Sequence, residues 1–464
     1  MNEKNQILKA SFWYIVSNFL VKGLGFITVP IFARILTKAD IGYVNNFNSW
    51  LSMLTIVATL SLNASLVRAR FDYEKEMYSF VSSNLLLGTV FSFICGGICL
   101  LNKDLIKEIT SLDTIYITIM FINMLVMPAY NMFLQVQRFS YNYKSVAIIT
   151  IGVSVCSIAL SLVLVSIMSN QLLARILGGQ IPTIFVAIII YFFFLVKGHR
   201  IRWEYMKYSL AICCPYIIHL LSGTLLNSSD RAMITKICGP ESTALYGMAG
   251  NIALIVSILW ESLNTAFSPW LGEKLNAKDY EAIRKYTYGY ILVFCFILIG
   301  IVLIAPEALL ILGGKEYIEA KYVIPPMMYG YVLLFIYSMY VNIEQFEKKT
   351  SGMAIATFCA AVINIGLNVV LLPQYGYAAA AYTTVIGYAF LYVFHFFMVK
   401  KMGFANVYDT RFILSAVVLI GLIMGLMSII YDYRVARYLI VLLYGIIAIG
   451  FILKNRAVIV KIIK

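Results

Sequence analysis

The chain has 464 residues, of which 61% are hydrophobic and 12% charged, and its mean hydropathy is +0.86. A soluble domain carries roughly 25% charged residues, so a water-solvated fold is excluded and the apolar surplus must face lipid. The formal charge of +14 would suggest nucleic acid in a soluble chain; here its placement along the chain decides its meaning, and nucleic acid is not an expected partner.

Apolar runs of about twenty residues, the length that crosses hydrocarbon about 30 Å thick, follow one another with short polar joints. The first lies near 11–33, after a polar stretch from Met1 to Ala10 without a small-residue cleavage site, which predicts a retained helix and not a signal peptide. Further spans are predicted near 43–66, 82–101, 112–135, 146–168, 171–196, 208–229, 243–267, 287–312, 322–343, 352–372, 377–399, 412–431 and 437–453. The expected fold is an all-α polytopic membrane protein of about fourteen transmembrane helices.

Cytoplasmic joints keep Lys and Arg. Of the 36 basic residues, 24 fall on the side of the N-terminus and 10 on the other, with Lys22 and Arg175 inside spans. Both termini are therefore expected in the cytoplasm of a bacterial cell membrane, and the bias persists to the last joint. Much of the positive charge is a topology signal. The longest joint, between the eighth and ninth spans, leaves no room for a catalytic domain. There is no Gly-x-x-x-x-Gly-Lys-Ser/Thr phosphate loop. His199, His219 and His395 are scattered without metal spacing, and seven of the eight cysteines fall in apolar runs. Neither an enzyme, an ATP-driven pump, a cofactor nor a metal is expected.

Two segments repeat. Ser61-Leu62-Asn63-Ala64-Ser65-Leu66 in the second span matches Ser262-Leu263-Asn264-Thr265-Ala266-Phe267 in the eighth, each after an outer joint of similar length. This predicts two parallel six-helix bundles, 1–200 and 201–400, related by a pseudo-two-fold axis, with two additional helices and a cytoplasmic tail over 401–464. Polar stripes at steps of three and four then mark helix faces: Ser11, Tyr14, Asn18, Lys22 and Gly25 in span one; Asn45, Ser49, Ser52, Thr59 and Asn63 in span two; Tyr216, His219, Gly223, Asn227 and Asp230 in span seven; Asn251, Ser257, Glu261 and Asn264 in span eight.

Interhelical hydrogen bonding, worth only about 0.6 kcal/mol each on average, accounts for the Ser, Thr and Gly positions. It does not account for Lys22. That residue lies about eleven residues, or some 16 Å of helix, from either end of its span, beyond snorkelling reach. An ammonium facing lipid there costs at least about 2.5–3.5 kcal/mol, so Lys22 is expected to face a wet cavity. His219 is mid-span and can be neutral. Glu261 lies near a rim, and Arg34, Arg175, Asp230 and Arg231 lie at outer ends, where interface anchoring competes with substrate contact. His395 reads as structural. The 33 tyrosines suit sugar stacking, although interfacial belts use them too.

These residues resemble a known family. Leu24-Gly25-Phe26, then Ala33-Arg34-Ile35-Leu36 and Ile41-Gly42-Tyr43, look like the opening of the polysaccharide transporter branch, the O-antigen and capsule repeat-unit flippases, of the multidrug/oligosaccharidyl-lipid/polysaccharide exporter superfamily. Leu66-Val67-Arg68 before Phe71-Asp72-Tyr73 looks like its first inner joint. Asp230-Arg231 before Ala244-Leu245-Tyr246, and Leu367-Asn368 before Pro373-Gln374-Tyr375-Gly376-Tyr377, are similar to its second-half signatures. One departure is Ala378-Ala379 in place of the usual Gly-Ala pair.

The resemblance implies a flippase that moves an undecaprenyl-pyrophosphate-linked oligosaccharide from the cytoplasmic to the outer leaflet by alternating access, for O-antigen, capsule or a related polysaccharide. Membrane lipid is then a partner, and a polysaccharide polymerase and a chain-length regulator are partners the resemblance allows. Lys22, Asn18, Arg68, Asn63, Arg175, Arg231 and Asn264 become the candidate substrate-binding residues. Glu261, Asp230 and His219 become the candidate ion-coupling groups, since no nucleotide site supplies energy. Three rivals stay open: a multidrug antiporter, for which a buried Lys22 is awkward; a lipid II flippase, which also has fourteen spans; and a scaffold subunit of a synthase complex.

Overall fold

The structure, a computed structural model, describes residues 3–349 and 351–454. Every regular element among them is helical, as hydrocarbon requires when each backbone N–H and C=O must be satisfied within its own segment. In chain order the helices are α1 (Glu3–Ile35), α2 (Lys38–Ala58), α3 (Leu66–Asp72), α4 (Met77–Leu101), α5 (Lys103–Thr110), α6 (Thr114–Phe139), α7 (Tyr143–Ile167), α8 (Gln171–Gly198) and α9 (Trp203–Cys238). They continue as α10 (Pro240–Asn276), α11 (Tyr280–Leu303), α12 (Ala305–Leu312), α13 (Ile324–Phe346), α14 (Ser351–Tyr375), α15 (Ala379–Lys401), α16 (Thr410–Ile430) and α17 (Arg434–Lys454). Short 3₁₀ turns fill several joints.

Eleven segments among the described residues are long and apolar enough to cross a membrane, and twelve if the bent pair Lys38–Ala58 and Leu62–Asp72 is one span. The helices α1 and α17 are long but stand outside that count. Large apolar side chains such as Phe19, Val163 and Leu422 are exposed on helix surfaces, the inverse of a soluble fold and the arrangement that lipid solvation permits.

The second predicted span is not one straight helix. Its two parts meet at 57°, and Leu60 and Ser61 take left-handed conformations with φ of 52° and 46°. The cause lies in the hydroxyls read as a polar stripe. Ser49 donates to the Asn45 carbonyl, Thr55 to Leu51 and Thr59 to Thr55, each one turn back, and such back-bonding bends helices. Beyond the break Asn63 sits in a 3₁₀ turn (Leu62–Ser65), so it leaves the face it was expected to share with Asn45. The matching hexapeptide, Ser262 to Phe267, lies inside the continuous α10.

Two compact units divide the chain, Met1–Ala244 and Leu245–Lys464. The first contains α9. Tyr205 and Cys213 of α9 join the buried cluster of Leu62, Leu66, Phe80 and Phe194, and Ser209 Oγ lies 2.9 Å from Ser65 Oγ. At Gly42 an added Cβ would stand 1.8 Å from the Pro240 carbonyl oxygen, so only glycine lets α2 pass the start of α10. The boundary of compactness therefore falls after α9, whereas the repeat boundary expected at 200/201 is a matter of chain symmetry. In the second unit, Arg437 of α17 forks onto Glu307 of α12 and donates to the Leu303 carbonyl, fastening the last helix.

Candidate functional site

Within the first unit α1, α2, α7 and α8 enclose a cavity of about 330 Å³. Val21, Gly25 and Thr28 of α1 face it at positions i, i+4 and i+7, one side of a helix. Asn48 of α2, Ser154 and Ser157 of α7, and Arg175, Gln180 and Thr183 of α8 supply its polar lining. No carboxylate among the described residues lines it.

Arg175 is held by sequence-local packing. At Gly178 an added Cβ would stand 2.3 Å from the Ser161 Cα, so α7 and α8 cross closely there. That crossing brings the Arg175 guanidinium within 2.9 Å of the Ser161 hydroxyl, to which its Nη1 donates. The other face of the guanidinium lies 4.1 Å from the Phe32 ring centroid, a cation–π contact that orients the planar group. One hydroxyl and one ring use little of a five-donor fork, and the rest is available to an anion. Gln180 is fixed by accepting from Asn123 Nδ2 at 2.8 Å.

The cation that lines this cavity is therefore Arg175 and not Lys22. Lys22 is half-buried on α1 beside Val21, about 100° round the helix from the lining face. The Asn18 side chain lies outside the described ones. Asn63 is half-buried beyond the break in span two. Arg68 is exposed, with its Nε 3.2 Å from Asp72, and the Tyr208 hydroxyl donates to the same carboxylate oxygen at 2.5 Å; it belongs to a surface network and not to the cavity. On α9, His219 has a buried Nδ1 without a hydrogen-bond partner among the described residues and packs at 5.8 Å on Tyr216. Asp230 is buried and Arg231 half-buried. Eleven residues, about 16 Å of helix, separate His219 from Asp230, so the structure does not gather them. Glu261 and Asn264 lie on α10 in the second unit, where Glu261 is exposed and Asn264 Oδ1 accepts from Asn342 Nδ2 at 2.9 Å.

Sequence reasoning missed Glu344. Its Oε1 is 2.7 Å from His395 Nδ1, both side chains being at most 2% exposed, and its Oε2 is buried without a hydrogen-bond partner among the described residues. The predicted span ended at 343, which left this acid in a joint. A lone acid beside one apolar run and a lone histidine inside another was the signal. Asn364, Asn368, Thr383 and Thr384 form a second buried polar cluster, joining α14 to α15.

Comparison with known proteins decides the family. A model described as polysaccharide biosynthesis protein matches residues 7–275, more than half of the chain. The chain belongs to the polysaccharide biosynthesis protein family. A second model, MatE, matches residues 215–370. A Haemophilus influenzae protein named for the Lsg locus is 23% identical, over 86% of this chain and 99% of its own. A probable low-salt glycan biosynthesis flippase of Haloferax volcanii, Agl15, is 20% identical over 84% of this chain and 82% of its own. The lipid II flippase MurJ in an inward closed conformation superposes with a TM-score of 0.68 at 15% identity, covering 96% of this chain and 99% of that one; at that identity the likeness is one of fold. The resemblance carried by the opening and second-half motifs is thus borne out, and this member of the polysaccharide biosynthesis protein family has the helical exporter fold expected of it.

Proposed function

We propose that this protein translocates an oligosaccharide repeat unit linked to undecaprenyl pyrophosphate from the cytoplasmic to the outer leaflet of a bacterial cell membrane, by alternating access. Its product would feed O-antigen, capsule or a related surface polysaccharide. The observation that carries this reading is the cavity holding Arg175 with hydroxyl and amide neighbours and no carboxylate among the described residues. An arginine fork in a low-dielectric site suits phosphate oxygens, and Asn48, Gln180 and Ser157 suit sugar hydroxyls. A site for organic cations would need the opposite charge, which disfavours a multidrug antiporter. The basic bias of the joints supports cytoplasmic termini. The chain acts as a carrier and not as an enzyme, handing its cargo to a polymerase and chain-length regulator. An ion gradient or the membrane potential drives it, with Glu261, Asp230 and His219 as coupling candidates; Lys22 and Arg231 add positive potential near the path, and Arg68 attracts anions at the inner surface.

The test is export in a deletion strain complemented with Arg175 variants. Arg175→Ala should accumulate lipid-linked repeat units and cut surface polysaccharide at least tenfold at unchanged protein level, while Arg175→Lys, which keeps charge and loses the fork, should retain part of the activity. Wild-type export by Arg175→Ala would overturn the proposal.

A further inference from the structure

A second cavity lies in the other unit, between α10 and α11, and has a different chemistry. It is a groove of about 660 Å³. Leu263 and Trp270 of α10 line one side, and Lys285, Tyr286, Gly289, Tyr290 and Val293 of α11 line the other. The rings hold one another: Trp270 and Tyr286 are 4.3 Å apart, and Tyr290 stacks on Phe267 at 4.6 Å and 13°. The wall is therefore preformed, and a ligand need not order it. The space over Gly289 is open, since an added Cβ there would meet nothing within 4 Å. Tyr286 and Val293 are 50% and 44% exposed, so apolar surface is available to an occupant.

The groove is polarised along its length. Lys285 stands near the mouth, close to the joint between α10 and α11, and no carboxylate among the described residues pairs with it. Val293, eight residues or about 12 Å along the helix, lies at the apolar end with Leu263. This order of cation, aromatic wall and aliphatic end matches an amphiphile with one anionic head and one tail. The groove offers one cation and one apolar run, which suits one head and one chain.

We propose that the groove between α10 and α11 docks the phosphate and the first isoprenoid units of the substrate's single-chain lipid anchor, with the phosphate on Lys285 and the chain against Trp270, Tyr286 and Val293. This rests on the reading above that the cargo is lipid-linked. The groove serves an early docking step, holding the carrier lipid before its phosphates meet Arg175.

The probe is undecaprenyl phosphate carrying a diazirine near its head, photolysed with the purified full-length protein in nanodiscs. Label should map to residues 263–293, be competed by unlabelled undecaprenyl phosphate and resist competition by phosphatidylglycerol. Gly289→Trp, which fills the groove from an exposed helix position, should reduce labelling at least tenfold at unchanged Tm. Lys285→Gln, a surface change without packing consequences, should reduce it several-fold. Label outside 263–293, equal labelling of both variants, or equal competition by phosphatidylglycerol would each overturn the proposal, the last by showing an ordinary lipid contact. Groove labelling with wild-type export in Arg175→Ala would leave the groove standing and remove the cavity's role; the converse pair of results would spare the flippase and remove the groove.

Discussion

Two arginines set the units apart. Arg437, in the second unit, is 4% exposed and meets Glu307 through both Nη atoms, one of which also donates to the Leu303 carbonyl. Arg175, in the first, meets a hydroxyl and an aromatic face and no acid. A buried cation with a carboxylate is a fastener whose charge is already cancelled; a cation in a cavity without one keeps its field for a ligand. The same division runs through other groups: Glu344 is taken by His395 and Asn264 by Asn342, whereas the first unit leaves Arg175 and Asn48 beside open space. Polarity inside a membrane protein is thus of two kinds, and the presence of a partner decides which.

The largest expected effect tests the fastening side. Glu344→Ala leaves His395 buried without its partner, and removing one member of a buried pair costs about 3–5 kcal/mol. Thermal unfolding of the purified variant should show a Tm drop that the near-isosteric Glu344→Gln recovers in part. If instead Glu344→Gln keeps full stability and abolishes export, the pair works in transport and the contrast between the units fails at its strongest point.

A smaller effect tests the open side. Gly178→Val would press a side chain into the α7 backbone at Ser161, and overpacking of this sort costs about 1–3 kcal/mol. The helices would separate and draw Arg175 from its Ser161 hydroxyl. Export should therefore fall by more than Tm alone explains, measured as surface polysaccharide per unit of folded protein. Export in proportion to folded protein would mean that the position of Arg175 is not critical.

The helices were legible because an apolar run of twenty residues has few alternatives in lipid, and eleven of the fourteen predicted segments, twelve with the bent pair, coincide with described helices long and apolar enough to cross it. The break at Leu60 and Ser61 was not legible: Ser and Thr back-bonding leaves hydropathy almost unchanged, so a bent span reads like a straight one. The helix α5 was hidden in an outer joint because eight amphipathic residues fall below any spanning length. Arg175 was placed at an outer end, with anchoring as an equal reading, because distance along a helix does not reveal direction around it. Its direction depends on Gly178, whose meaning appears only when α7 lies against it. Lys22 drew attention through its depth in the span, yet depth alone does not select the face that meets the cavity.

The smallest effect concerns a joint. Asp279 caps α11, accepting from the Ala282 N–H at 3.1 Å, and pairs with Lys274 at 2.8 Å. The Lys274 ammonium, followed by that backbone N–H, holds its carboxyl below the usual carboxylate range. A lowered folded value means that its contribution is fully present above the unfolded carboxyl range, near 3.9, and is lost as the pH falls through the lowered value. Asp279→Asn, which keeps an oxygen for the cap but loses the ion pair, should lower Tm at pH 7 by about 2 °C or less, with the difference from wild type vanishing in strongly acidic buffer. Because Asp279 begins the helix that bears Lys285, Tyr286 and Gly289, the same variant separates fastening from recognition within the second unit: Tm should move slightly and labelling of the groove should not. A loss of labelling at unchanged Tm would show that the charges of the joint take part in recognition, and the division between cancelled and available charge would then have to be drawn inside the unit as well as between the two.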